Sequence, residues 1–167
     1  MARISAEQAG GKNRIAFLDM IAHSEGTVHD PATKDDGYDV LVTGVNGAQR
    51  FSSYADHPNI LVTINHNGLK STAAGRYQLL HRFWQPYKTI LKLPDFSPVS
   101  QDLVALQQIR ERGALQYIDE GMFDEAVRAC SNIWASLPGN DYGQRQNSVA
   151  VLLTAYQAAG GTATATA

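Results

Sequence analysis

Residues 13–26 read NRIAFLDMIAHSEG, and this stretch decides the fold. Ile15, Leu18, Ile21 and Ala22 recur every three or four positions, which predicts a helix from Arg14 with Asn13 as its N-cap. Glu25 lies three residues after Ala22 and seven after Leu18. It therefore falls on the apolar stripe, in the last turn. Gly26 follows and suits the left-handed position that ends a helix. A carboxylate on an apolar face is unusual. Burial disfavours its charged form, and so does the negative end of the helix dipole. A carboxyl kept protonated near neutral pH can serve as a general acid. Spacing alone favours the plainer reading, a helix-end glutamate that reaches solvent, because glutamate is mostly exposed.

The chain on either side builds a context for that helix. Residues 1–12 read as a flexible N-terminal arm closed by Gly10-Gly11. After Gly26, turn formers (Asp30-Pro31, Asp35-Asp36-Gly37, Asn46-Gly47) separate strand-like runs at 38–43 and 60–64. Asn46-Gly47 is a hairpin signal, so a small antiparallel sheet of two or three strands is expected. From Ser71 the pattern turns helical, with Tyr77, Leu80, His81 and Trp84 in step until Pro86, which kinks or ends the helix. Ser100 is placed to cap a helix over 101–112, and Gly113 to stop it. A short helix is expected over 123–129 and a last one over 147–158, stopped by Gly160-Gly161. Residues 162–167 read as a flexible tail. No repeat or linker divides the chain. The expectation is one α+β domain over 13–161, mostly helical, with a small sheet inserted after the first helix.

Composition removes several classes of function. A chain of 167 residues buries roughly 70% of its unfolded surface and needs no staples. Its one cysteine, Cys130, excludes an internal disulfide and fits cytosolic synthesis. Cys130 sits on an apolar helix face and reads as buried rather than nucleophilic. A net charge of −2 argues against a nucleic-acid partner. No apolar run approaches the ~20 residues of a membrane span, and the first 14 residues hold no apolar secretory core. If the target lies outside the cytoplasm, another agent must release the protein. Without HExxH or CxxC no metal is expected, and there is no GxSxG or phosphate-binding loop.

Two further segments could meet a ligand. Residues 70–78, KSTAAGRYQ, are small and polar and lead toward a helix. Ser71, Arg76, Tyr77 and Gln78 are its candidate contacts, Gln78 because it offers a donor and an acceptor together and Tyr77 for its apolar face. Residues 132–144 place Trp134, Tyr142 and Gln144 around a polar loop. Trp134 fits a sugar-flanking wall and a core position equally well. The acidic group Asp35, Asp36 and Asp39 reads as a solvated turn.

Taken together, AFLDMIAHSEGT (16–27), DGYDV (36–40), YADHP (54–58), LKSTAAGRYQLL (69–80), DFSPVSQDLVALQQIRERGAL (95–115), CSNIWASLPG (130–139) and YGQ (142–144) resemble the bacteriophage lambda endolysin family in family order. These are lysozyme-like peptidoglycan lytic transglycosylases. The resemblance implies a helical lobe and a small β lobe with a cleft between them. It implies that Glu25 is the catalytic acid and that residues 75–78 line the cleft. It implies cleavage of the β-1,4 bond between N-acetylmuramic acid and N-acetylglucosamine with a 1,6-anhydro product, and no cofactor. Peptidoglycan strands are then the partner, a monomer the working form, and a holin-type membrane lesion the route from host cytoplasm to cell wall. Three features depart from the family: the extension before Asn13, the Thr/Ala tail, and His23 where an aromatic residue is usual.

A hydrolytic lysozyme is the alternative enzyme. The phage hydrolytic pattern places Asp nine residues after the glutamate and Thr six further. Here those positions are Lys34 and Val40, although Asp35 or Asp36 could substitute. A non-catalytic glycan-binding module is the alternative of another class, and it has no need of a raised-pKa acid.

Overall fold

In this computed structural model residues 1–164 are described. The elements in chain order are α1 (Ala6–Ala9), α2 (Lys12–Glu25), a 3-10 turn (Thr27–His29), β1 (Val62–Thr63), β2 (Lys70–Ser71), α3 (His81–Ile90), α4 (Pro98–Glu111), α5 (Leu115–Asp119), α6 (Phe123–Cys130) and α7 (Val149–Ala158). This is the helical α+β architecture expected, with a two-stranded antiparallel sheet. The chain forms two compact units. One contains Met1–Glu25 and the chain from Ala105 onward, and the other is Gly26–Val104. The first is assembled from both ends of the sequence, and the division falls inside α4. No composition break marks it, which is why the sequence shows no boundary there.

The first unit is organised around α2. Ile15, Ala16, Phe17, Leu18, Met20, Ile21, Ala22 and Ser24 are all buried. Burial on every side makes α2 a core helix rather than the amphipathic one its stripe suggested. Phe17 meets Phe123 of α6 at 6.2 Å and Tyr156 of α7 at 6.4 Å, both edge-on, and Phe123 and Tyr156 lie 4.8 Å apart. Such aromatic contacts add to the free energy of area burial alone. Burial also pushes the Tyr156 hydroxyl up to about 12, with the Asp119 charge adding to the shift.

Three expectations change in this unit. The N-terminal segment is not a loose arm. Ser5 caps α1 by accepting the Gln8 amide at 3.0 Å, Ala2, Ile4 and Ala9 are buried, and the Ala2 amide donates to Asp19 Oδ1 at 2.7 Å. Isolated small apolar residues carry no period, so the sequence pattern could not show that they dock. Asn13 does not cap α2 but lies within its first turn. Its Nδ2 donates to the Ile118 and Thr162 carbonyls at 3.1 and 3.3 Å, and its Oδ1 accepts the Thr162 amide at 3.0 Å. The start of the expected tail is therefore tied down, and the Thr164 amide adds a 2.9 Å bond to the Gly121 carbonyl. Residues 165–167 of that tail lie outside the described residues.

The second unit packs Leu41, Phe51, Val62, Ala74, Leu79, Trp84, Leu93, Phe96 and Val104 into its core. β1 and β2 pair with Val62 opposite Ser71 and Thr63 opposite Lys70. The run at 38–43 makes only isolated bridges, Val40 to Arg50 and Leu41 to Ala74. Asn46-Gly47 does turn the chain, with Gly44 and Gly47 bridged and Gly47 at φ 83°.

The helix expected from Ser71 begins only at His81. Residues 74–79 instead form a tight hairpin in which Ala74 and Leu79 exchange both amide bonds, at 3.1 and 3.0 Å. Gly75 (φ 84°) and Gln78 (φ 54°) turn it. At Gly75 a side chain would run into the Gln101 amide, which is held by its own bonds to the Tyr38 and Phe96 carbonyls, so space adds to the demand that φ makes for glycine. Helical spacing from Tyr77 to Trp84 was coincidental: Tyr77 is buried from the hairpin and Trp84 from α3. Pro86 neither stops nor ends α3, which continues to Ile90.

The helix read as capped by Ser100 starts at Pro98, three residues before the expected Gln101, with the proline at its first position, where the missing N–H costs nothing. Ser100 bonds backward to Asp95, which also accepts the Ser97 amide. A bond from the Ser97 side chain first, and then these two, hold the Asp95 carboxyl below its usual range.

Candidate active site

Glu25 is the last residue of α2, and Gly26 follows at φ 78°, the left-handed turn predicted to end the helix. Its side chain is partly buried. Burial raises the Glu25 carboxyl from 4.5 to about 7, and a hydrogen bond from the Ser136 hydroxyl pulls the other way. Desolvation is therefore the dominant cause, as the apolar stripe suggested. At neutral pH this carboxyl is populated in both protonation states, the condition for giving and then taking a proton.

The groups that hold Glu25 come from far along the chain. Ser24 Oγ lies 2.8 Å from Ser136 Oγ. Asn147 Nδ2 donates to Ser24 Oγ at 3.0 Å and to the Ser24 carbonyl at 3.1 Å. The Asn147 amide donates to the Ser136 carbonyl at 2.8 Å. Asn140 fixes the loop between them by donating through Nδ2 to the Ser131 and Leu137 carbonyls, at 2.9 and 2.8 Å. Sequence reasoning missed this support. Ser24 adjoins Glu25 and Ser136 lies in the SLPG stretch, so both stood inside quoted motifs, but nothing in the pattern marked Asn147.

Two of the expected sugar contacts on this unit remain available at the surface. Tyr142 is 53% exposed, with its hydroxyl donating to the Asn132 carbonyl at 3.1 Å, and Gln144 is exposed. Trp134 is not available. At 2% exposure it is a core residue, which settles the two readings of it. Cys130 is buried, and burial pushes its thiol up to about 12, so it is a poor nucleophile.

In the second unit the structure corrects two assignments. Arg76 is 1% exposed and Tyr77 4%, so neither side chain presents a face to a sugar. They belong to a buried polar network instead. Asp102, fully buried, accepts the Tyr38 hydroxyl at 2.7 Å and the Tyr77 hydroxyl at 2.6 Å. The Arg76 guanidinium lies 5.2 Å from the Tyr38 ring centre and 5.6 Å from that of Tyr77. It donates to the Asp36 carbonyl and the Tyr77 hydroxyl, at 3.0 Å each. Burial, and next the Asp102 charge, hold the Tyr77 hydroxyl well above its ordinary value. A tyrosine–aspartate–arginine set cannot be read from spacing, because Asp102 lies 25 positions from Tyr77 and 64 from Tyr38.

Gln78 and Ser71 are partly buried and keep some surface. Gln78 Nε2 donates to the Gly75 carbonyl at 3.0 Å, and Ser71 Oγ accepts the Ala73 amide at 3.1 Å. The acidic group is engaged rather than merely solvated. Asp35 accepts the Tyr54 hydroxyl, Asp36 lies 3.6 Å from Arg76 Nη2, and Asp39 accepts the Thr33 hydroxyl at 2.6 Å and the Lys34 amide at 3.0 Å.

Residues 15–163 match the family model described as Endolysin. The chain belongs to the endolysin family. An endolysin of Escherichia phage P2 is 53% identical over 155 residues, covering 90% of this chain and 94% of that protein. An endolysin of Escherichia phage lambda is 55% identical over 150 residues, with 89% and 92% covered. The solved structure of bacteriophage lambda lysozyme complexed with a chitohexasaccharide superposes with a TM-score of 0.86 at 52% identity, covering 98% of this chain and all of that one. A second structure of lysozyme from bacteriophage lambda gives 0.82 at 50% identity. The endolysin family degrades peptidoglycan in phage lysis, and this member carries Glu25 within the stretch the family model covers.

Proposed function

We propose that this endolysin cleaves the β-1,4 bond between N-acetylmuramic acid and N-acetylglucosamine without water, leaving a 1,6-anhydro end. The observation that carries the reading is Glu25 itself, partly buried at the end of α2 with its carboxyl raised to about 7. Protonated Glu25 gives its proton to the glycosidic oxygen as the bond from the muramic acid anomeric carbon breaks. The 6-hydroxyl of the same sugar then bonds to that carbon, and its proton returns to Glu25. Atoms and charge balance with no further reactant, and one carboxyl serves both steps. The sugar acetamido group assists at the anomeric carbon.

A hydrolase on the same bond would need a second carboxylate, about 5–5.5 Å away if retaining and about 6.5–9.5 Å if inverting. The substitutes open to it in the sequence, Asp35 and Asp36, already take a tyrosine hydroxyl and an arginine within their own unit. That engagement favours the transglycosylase. Tyr142, Gln144, Gln78 and Ser71 are proposed to contact the glycan, which the chitohexasaccharide bound to the lambda lysozyme supports as a ligand class.

Synthesis in the host cytoplasm, action as a monomer and release through a separate holin-type lesion are part of the same proposal. No helix among the described residues is long and apolar enough to cross a membrane. Expression of this chain alone should leave host cells intact until their membrane is permeabilised. Mass spectrometry of digested murein tests the chemistry: anhydro-terminated fragments that resist borohydride reduction are expected, and reducible ends would replace the transglycosylase with the hydrolase.

A further inference from the structure

We infer that Asn147 is a positioning residue for Glu25, acting through Ser24 and Ser136 to fix the direction of a hydrogen-bond chain that ends on the catalytic carboxyl. The inference rests on the reading of Glu25 as the acid, and it adds which residues aim that acid.

The direction follows from what each group can give. The side-chain nitrogen of Asn147 carries two hydrogens and accepts nothing. One contact is to the Ser24 carbonyl at 3.1 Å, an acceptor only. A flipped amide would set two acceptor oxygens against each other, so this contact orients Asn147. Its second hydrogen reaches Ser24 Oγ at 3.0 Å, and Ser24 must accept it. The Ser24 hydroxyl hydrogen is then free to point at Ser136 Oγ, 2.8 Å away. Ser136, accepting from Ser24, has its own hydrogen left for the Glu25 carboxyl, with which it bonds.

Without Asn147, the two serine hydroxyls become degenerate. Ser136 can turn its hydrogen toward Ser24, and Glu25 then loses its donor. The backbone bond from the Asn147 amide to the Ser136 carbonyl, 2.8 Å, keeps the distal end of the chain in register with the proximal end.

Ionisable groups on the neighbouring elements do not supply the same control. The elements packed on α2 include α1, α5, α7 and, through Phe17 and Phe123, α6, which brings Asp124, Glu125 and Arg128. The other three bring Glu7 from α1, Asp119 from α5 and Tyr156 from α7. Asp119 is held by Arg14, eleven residues before Glu25 and so about 16 Å along the helix. On α2 itself stand His23 and Asp19, the latter engaged by the Ala2 amide. The loop around Ser136 brings Asp141 and Arg145, both exposed. Burial and Ser136 are the causes that set the Glu25 carboxyl.

The test is a carboxyl-carbon NMR titration of Glu25 in the full chain, with the pH profile of kcat/KM on murein recorded in parallel. Asn147→Ala should move the Glu25 titration upward by about 0.5–1 pH unit, the equivalent of losing one donor. Ser136→Ala should move it similarly, and the double variant should move it no further than either alone. Ser24→Thr, which retains the hydroxyl, should titrate like the parent. An unchanged or lowered titration in folded Asn147→Ala overturns the inference, and so does full additivity in the double variant. If the titration moves and the alkaline limb of kcat/KM does not follow, the chain of bonds stands and the reading of Glu25 as the acid fails.

Discussion

Ser24 and Ser136, 112 positions apart in the sequence, place their hydroxyls 2.8 Å from each other beside the final residue of α2. The contact joins the helix that carries Glu25 to the loop that supplies its hydrogen-bond donor. Glu25 is thus held by a core helix on one side and by a pinned loop on the other.

Glu25→Gln keeps the shape of the side chain and its capacity to bond Ser136, while removing the transferable proton. Activity on purified cell walls should fall by at least about 10²–10⁴-fold, the usual contribution of a positioned acid. Circular dichroism and glycan binding should be unchanged. Turbidity clearance at the parent rate would remove Glu25 from the mechanism.

The same substitution makes a prediction about stability. The folded-state carboxyl is raised from 4.5 to about 7, so the folded protein binds the proton more tightly than the unfolded chain. The Glu25 contribution to parent stability is therefore fullest below pH 4.5 and declines as pH rises toward about 7. Glu25→Gln does not titrate. Urea unfolding should show the variant gaining on the parent between those limits by up to about 3 kcal/mol. Parallel pH profiles for the two proteins would contradict the raised carboxyl.

Arg76 was expected at the substrate and is found beneath the surface. Arg76→Ala removes the guanidinium that donates to the Asp36 carbonyl and the Tyr77 hydroxyl and pairs with the Asp36 carboxylate in a buried network. The expected cost is about 3–5 kcal/mol of stability, measured by chemical unfolding. A variant of parent stability with a raised KM would restore the binding role.

Much of this was legible in the sequence. The α2 stripe located Glu25, Gly26 located the end of the helix, and the ordered motifs gave the family and the α+β class. What failed did so for physical reasons. The α2 helix is buried on all sides, so a one-faced stripe understates its contacts. The 74–79 hairpin mimics helical spacing because its side chains and those of α3 happen to fall in step. Docking of Ala2 and Ile4 needs no periodicity. Arg76 and Tyr77 looked like ligand contacts because polar residues are assumed to face water, and only the fold brings Asp102 to them. The Asn147 side chain is assigned by a contact across 123 positions, beyond any local pattern.

Tyr142 is the exposed aromatic residue of the loop that follows Ser136. Tyr142→Ala should change stability by no more than about 0.5 kcal/mol. It should raise KM for murein by about fivefold, equivalent to ~1 kcal/mol of lost apolar contact. An unaltered KM would remove this residue from the glycan site.

In the proposed reaction the nucleophile belongs to the sugar and not to water. Digestion of purified murein by the parent protein in heavy-oxygen water tests it directly, with the fragments weighed by mass spectrometry. The muramic acid ends should carry no heavy oxygen and be one water lighter than hydrolysed ends. Incorporation of one heavy oxygen per cleavage would contradict it.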